Sequence, residues 1–259
     1  MEKIAVDYRV TNALMGRDFR LTGTGAQLLV QDCFGILMAR NHTAAFDLMR
    51  ESRMWIISEF SMSFHSAMPF WGDRVTVELW LSSEPAVKVY VDYRILHNGT
   101  EVCRGDCVWA ILDIVTRRPV PALPLLEGLV CGDAVQSGVH RHPLQEPVAE
   151  RFRSVYRTQA SDADFNNHVS NITYLKLCLG TLPFEYVDSR SLVALDMKFV
   201  HETFPGQELV CSVSTSASDD NWICTVHNGD GELCCRAGLV YSERFTESDD
   251  YGNLEIRKR

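Results

Sequence analysis

The chain has 259 residues, a net charge of −9 and 46% hydrophobic content. That length is enough for one large domain or two modest ones with a substantial core. The acidic balance argues against a nucleic-acid partner, which needs clustered Lys and Arg, and no apolar run approaches the ~20 residues of a membrane span, so no membrane insertion is expected.

Residues 1–30 show neither a basic-then-apolar leader nor an Arg- and Ser-rich one, so a cytoplasmic protein is expected. Nine cysteines, an odd number without paired C-x-x-C motifs, read as small core residues in a reducing compartment. His140-Arg-His142 is a weak metal candidate. No metal and no other cofactor is expected.

In chain order, Ala26–Met49 is apolar on nearly every side (Leu29, Cys33, Phe34, Leu37, Met38) and predicts a buried helix. Alternating runs follow: Phe60, Met62 and Phe64; Val75, Val77 and Leu79; Val87 to Ile95; then Val102–Leu112. They predict antiparallel strands. Pro119–Pro124 and the stretch to about Pro147 read as a linker. A second helix is predicted at Val169–Leu182, with strands near Leu192–Val200, Glu208–Ser214, Trp222–His227 and Leu233–Tyr241.

The two halves share a plan. His97-Asn-Gly-Thr-Glu-Val-Cys-Arg-Gly105 resembles His227-Asn-Gly-Asp-Gly-Glu-Leu-Cys-Cys-Arg-Ala-Gly238 at an offset of about 130 residues. Each reads as a hairpin turn leading into an apolar strand. Repetition at half the chain length predicts two copies of one domain. One buried helix followed by antiparallel strands is α+β. The expected fold is a tandem double hotdog, with each antiparallel sheet wrapped around a central helix. Its expected parts are an N-terminal domain at 1–128, a linker at 129–147, a C-terminal domain at 148–245 and a charged tail at 246–259.

Ahead of the second helix, Asp162-Ala-Asp-Phe-Asn-Asn-His-Val-Ser-Asn171 puts two acids, three carboxamides and a histidine into ten residues. Helix capping needs one such residue, two at most. The surplus points to a reacting carbonyl at the helix N-terminus, where unpaired backbone N–H groups favour developing negative charge.

Four stretches carry a resemblance to a known family. Ser161 to Asn171 with Tyr174 is similar to the S-D-x-D-x-N-x-H-V-N-N-x-x-Y signature of the acyl-acyl carrier protein thioesterases of plants and bacteria. Phe70-Trp-Gly-Asp73 is similar to that family's W-G-D strand, and Trp109 with Thr116-Arg-Arg118 to its W-x(6)-T-R-R stretch. Phe199-Val-His-Glu-Thr203 falls at its aromatic-x-x-Glu-Cys segment. The resemblance implies a site of Asp164, Asn166, His168 and Glu202. It implies hydrolysis of fatty acyl-carrier-protein thioesters and, as partner, a carrier protein with a phosphopantetheine-linked acyl chain. Ser170 and Thr203 depart from the family's Asn and Cys. A threonine without an activating base is a poor nucleophile, so attack by water is expected.

The expected roles follow from the chemistry. Glu202 is the general base for water, Asn166 and His168 hold water or oxyanion, and Asp164 fixes them. Backbone N–H groups near Val169 and Ser170 are expected to polarise the carbonyl. The first helix, facing Trp55, Ile57 and Trp80, is the candidate acyl tunnel. Two methylenes in such a tunnel differ by ~1.6 kcal/mol, or roughly 15-fold, so rejection of overlong chains needs a steric floor. An acyl-CoA thioesterase and an acyl-binding module without catalysis are the competing readings, and a homodimer is left open.

Overall fold

The computed structural model describes residues 3–82, 86–126, 145–216 and 221–245. The first half runs β1 (Lys3–Arg9), α1 (Gly23–Arg40), α2 (Ala45–Arg50), β2 (Arg53–Phe64), β3 (Arg74–Leu81), β4 (Lys88–His97), β5 (Thr100–Asp113) and a short β6 (Pro119–Val120). The second half runs β7 (Ala149–Arg157), α3 (Asn171–Thr181), α4 (Phe184–Ser189), β8 (Arg190–Phe199), β9 (Glu208–Thr215), β10 (Asn221–Asn228) and β11 (Leu233–Glu243).

All the long strands join one sheet in the order β1-β3-β4-β5-β2-β8-β11-β10-β9-β7, with β6 beside β5. Read outward from the centre, each half repeats the same order. The halves meet where Glu59–Ser63 of β2 pairs antiparallel with Lys198–Ala194 of β8. Both central helices pack on this sheet and on one another, and their buried side chains belong to one continuous core. The fold is the expected α+β double hotdog.

Local chemistry sets the helix ends. The Thr22 hydroxyl accepts the Gly25 N–H at 2.9 Å and starts α1. The predicted single helix Ala26–Met49 is in fact two. Helix α1 stops at Arg40, where the Asn41 amide donates to the Leu37 carbonyl at 2.8 Å. His42 then takes a left-handed φ of +56°, and α2 begins at Ala45. The turn uses Asn and His rather than Gly, so its signal in the sequence is faint.

Strand parity decides which side chains face the helices. Val75, Val77 and Leu79 of β3 are at most 1% exposed and join the core under α1. Trp80 is one residue on and therefore lies on the opposite face of the sheet, in register with Lys3 and Asp92. In β2 the parity switches. Trp55 and Ile57 are core residues, and then so are Phe60, Met62 and Phe64. The switch is a bulge, seen as a register shift against β5 between Ile57 and Glu59.

The edge strands β1 and β7 escaped the sequence reading. The exposed Arg151, Arg153 and Arg157 belong to β7, and charge on an edge strand is a usual protection against sheet-to-sheet pairing. Among the described residues the cysteines are buried thiols. Burial holds the Cys103 and Cys235 thiols well above the ordinary thiol range, which makes them poor nucleophiles. His140 and His142, most of the expected linker and the tail lie outside the described residues. Among the described residues no helix is long and apolar enough to cross a membrane, and no three ligating side chains form a metal cluster.

Candidate active site

The polar segment before α3 folds as a tight loop organised by Asp164. One carboxylate oxygen, Oδ1, accepts the backbone N–H of Asn166 at 2.8 Å and of His168 at 3.2 Å. The Asp164 N–H donates to the His168 carbonyl at 2.8 Å, and the Asn167 N–H to the Asp164 carbonyl at 3.0 Å. Asn167 turns the chain with a φ of +62°, a conformation asparagine tolerates. Asp164 thus positions Asn166 and His168 by holding their backbone.

Asp162 does a different job. Its Oδ2 accepts the Gln159 N–H at 2.7 Å and the Tyr156 hydroxyl at 2.8 Å. It ties the loop to β7 and stays out of the site.

The second element is the segment after β8. The Val169 N–H donates to the Thr203 carbonyl at 2.8 Å. The Thr203 side chain is fully buried, and its hydroxyl lies 2.7 Å from that of Tyr174 on α3. Burial holds the Tyr174 phenol well above its usual range, so it remains neutral. These two bonds pin the 199–204 segment to the helix. They bring Glu202 Oε2 to 3.4 Å from His168 Nε2. The His168 ring meets the edge of Phe204 at 5.1 Å.

A third contribution comes from the first half and was missed in the sequence, where Arg117 was only part of the T-R-R resemblance. Its guanidinium pairs with Glu202 Oε2, the same oxygen that faces His168. Asp113 builds the turn that aims it. The Asp113 carboxylate accepts the N–H groups of Val115 and Thr116 and the Thr116 hydroxyl. These bonds, the Thr116 N–H foremost, hold the Asp113 carboxyl below its usual range. Arg117 itself sits at a φ of +57°. An acid followed two and three residues later by donors in a turn was the available signal, but nothing local points to the far half.

All four predicted catalytic residues, Asp164, Asn166, His168 and Glu202, line one cavity of about 720 Å³. Trp55 and Ile57 line it too, with Phe34, Met38, Trp109 and Leu112 from the first half. Phe34 stacks on Trp109 at 4.1 Å and meets Trp55 edge-on at 5.2 Å. The cavity therefore joins a polar end from the second half to an aromatic wall from the first. Trp80 takes no part, because strand parity places it on the other face of the sheet.

Val169 and Ser170 also line the cavity, but the donor role expected of their backbone fails. The Val169 N–H is engaged by Thr203, and the Ser170 N–H donates to the Asp162 carbonyl at 2.8 Å. The Ser170 hydroxyl instead accepts the Ile172 N–H at 3.4 Å, as the N-cap of α3.

Two stretches of the chain match known protein families. Residues 26–128 match the family described as thioesterase-like superfamily. Residues 145–239 match the one described as acyl-ACP thioesterase C-terminal domain. A palmitoyl-acyl carrier protein thioesterase, chloroplastic, of Gossypium hirsutum is 24% identical over 207 residues, which is 75% of this chain and 48% of that protein. An oleoyl-acyl carrier protein thioesterase of Arabidopsis thaliana is 23% identical over 179 residues, 64% of this chain and 49% of that protein. The chain thus spans about half the length of the curated relatives it matches.

Among solved structures, a 12:0-ACP thioesterase from Umbellularia californica superposes with a TM-score of 0.81 at 16% identity, over 93% of this chain and 98% of that one. An acyl-ACP thioesterase from Bacteroides thetaiotaomicron gives 0.74 at 19%, over 93% and 98%. They share the fold. Each half of the chain thus matches a thioesterase family model, the first the thioesterase-like superfamily and the second the acyl-ACP thioesterase C-terminal domain.

Proposed function

We propose that this protein hydrolyses the thioester of a fatty acyl chain carried on the phosphopantetheine arm of acyl carrier protein, releasing the free acid and ending chain elongation. The observation that carries the reading is the meeting of Asp164, Asn166, His168 and Glu202 at one cavity that Phe34, Met38, Trp55, Ile57 and Trp109 also line. An acyl chain fits the wall, and a water molecule and a thioester carbonyl fit the polar end.

Glu202 takes a proton from water as its oxygen bonds to the acyl carbon. The carbonyl becomes an oxyanion. The oxyanion then collapses, the carbon–sulfur bond breaks, and the departing thiolate takes a proton from Glu202 or from His168. Asn166 holds the water through its amide, and Asp164 fixes the loop that presents Asn166 and His168. Arg117 and His168 orient the Glu202 carboxylate through its Oε2. Thr203 is not a nucleophile in this scheme: its buried hydroxyl is committed to Tyr174, which supports direct attack by water.

The test is thiol release from acyl carrier proteins loaded with chains of graded length. Glu202→Ala and Asn166→Ala are each expected to lower kcat/KM by ~10²-fold or more, the scale of losing a general base or a polar donor. Wild-type turnover by Glu202→Ala would overturn the mechanism. Release from CoA within about tenfold of release from the carrier protein would move the substrate to acyl-CoA. Absence of thiol release by wild type at every length would leave an acyl-binding module.

A further inference from the structure

The engaged N–H groups of Val169 and Ser170 are two fewer donors for the reaction. A thioester hydrolase must meet the charge that develops on the carbonyl oxygen, and the donors that do so must not already be engaged. Both backbone N–H groups expected there are used within the fold. The other half of the molecule supplies a donor that the fold does not use.

Gln31 lies on α1 and lines the same cavity as Asn166, His168 and Glu202. Its amide nitrogen is buried and has no hydrogen-bond partner among the described residues. Burying an amide N–H without an acceptor is costly, so such a group at a cavity wall points to an acceptor that arrives with the ligand. One turn further along the helix, Gly35 also lines the cavity, and a Cβ built there would meet nothing within 4 Å. The helix is bare beside Gln31, so a substrate can approach its backbone closely.

We infer that the side-chain N–H of Gln31 donates to the thioester carbonyl oxygen and holds the oxyanion that forms there. The inference rests on the thioesterase reading. An acyl thioester brings few acceptors into the cavity, and the carbonyl is the one that must lie where Asn166 and Glu202 reach water. The site is then shared between the halves. The second half supplies base, water and imidazole, and the first supplies the oxyanion donor together with the acyl wall.

Gln27 provides an internal control. It lies one turn earlier on α1 and is fully buried, and both its amide atoms lack partners among the described residues, yet it does not line the cavity. If unpaired glutamines on this helix serve packing alone, the two positions respond alike. If Gln31 serves the reaction, only Gln31 matters.

The experiment compares Gln31→Leu and Gln27→Leu with wild type on the saturated acyl-carrier-protein substrate that wild type turns over fastest. For Gln31→Leu, kcat is expected to fall by roughly 10²-fold with KM within about twofold, the pattern of an interaction made in the transition state. Gln27→Leu is expected to keep kcat within about twofold. An unchanged kcat in Gln31→Leu, a rise in KM alone, or an equal loss in Gln27→Leu would overturn the assignment.

Binding is read separately, with an acyl-pantetheine analogue in which an α,α-difluoroalkyl ketone replaces the thioester and whose hydrate mimics the tetrahedral intermediate. Gln31→Leu is expected to bind it ~10²-fold more weakly, and equal affinity would overturn the assignment. This arm needs no turnover. A wild type that releases no thiol but binds the ketone through Gln31 would sink the thioesterase reading and leave the Gln31 contact standing. Tight binding that ignores Gln31 would do the reverse.

Discussion

Helices α1 and α3 occupy equivalent places in the two halves, and each is capped by one hydroxyl, from Thr22 and Ser170. What precedes the caps differs. Ahead of α1 the chain closes on itself through backbone bonds, such as Gly16 N–H to the Arg20 carbonyl and Thr22 N–H to the Leu14 carbonyl. Ahead of α3 the Asp164 carboxylate joins the backbone bonds in closing the loop, and Asn166 and His168 line a cavity. The contrast separates two demands that look alike in a sequence. Starting a helix takes one hydroxyl. An acid, an amide and an imidazole at alternate positions answer to something other than the helix.

The largest expected effect tests that separation. Asp164→Ala removes the acceptor of two loop N–H groups and is expected to lower kcat/KM by ~10²-fold, because small misplacements of reacting groups are costly. Thr22→Ala, at the equivalent entry to α1, is expected to cost about 1 kcal/mol of stability in denaturant titration and to leave kcat/KM within twofold. Equal losses of turnover from both variants would break the comparison.

A middle effect probes the acyl wall of the first half. Gly35→Leu places a side chain in the open space beside α1 and is expected to lower turnover of the longest accepted chains by about tenfold relative to short ones. Gly35→Ala should raise stability by up to ~1 kcal/mol, because alanine favours a helix interior and no neighbour is displaced. A length profile that is the same in Gly35→Leu as in wild type would place the acyl chain elsewhere.

The smallest effect falls on the pin between the 199–204 segment and α3. Thr203→Val keeps the volume and removes the bond to Tyr174, at a cost of about 1 kcal/mol in unfolding free energy. Its turnover should stay well above that of Glu202→Ala. A loss as large as that of Glu202→Ala would return Thr203 to the chemistry.

How much of this could be read from the sequence depends on how local each signal is. Strand alternation in Val75, Val77 and Leu79 is a local pattern with a fixed period, and those residues face the core. The same period already excluded Trp80 from the tunnel, since it differs from Leu79 by one residue. The break after Arg40 was hidden because His42, not glycine, carries the left-handed turn. Strands β1 and β7 were hidden because an edge strand buries one side lightly and shows charge on the other. Arg117 and Gln31 were out of reach for another reason. Each matters only through a cavity shared with residues from the other half, and no local pattern encodes that contact.

The seam between β2 and β8 also bears on how the chain acquires its structure. Glu59 and Lys198 are in register there, although they lie more than half the chain apart. Pairings so distant in sequence close late and slowly, after the hairpins within each half have formed. Until the seam closes, β2 and β8 are bare edges with unpaired backbone groups, open to strands from other molecules. Refolding yield should therefore fall as protein concentration rises, and the vulnerable surface is the line along which the two halves are joined.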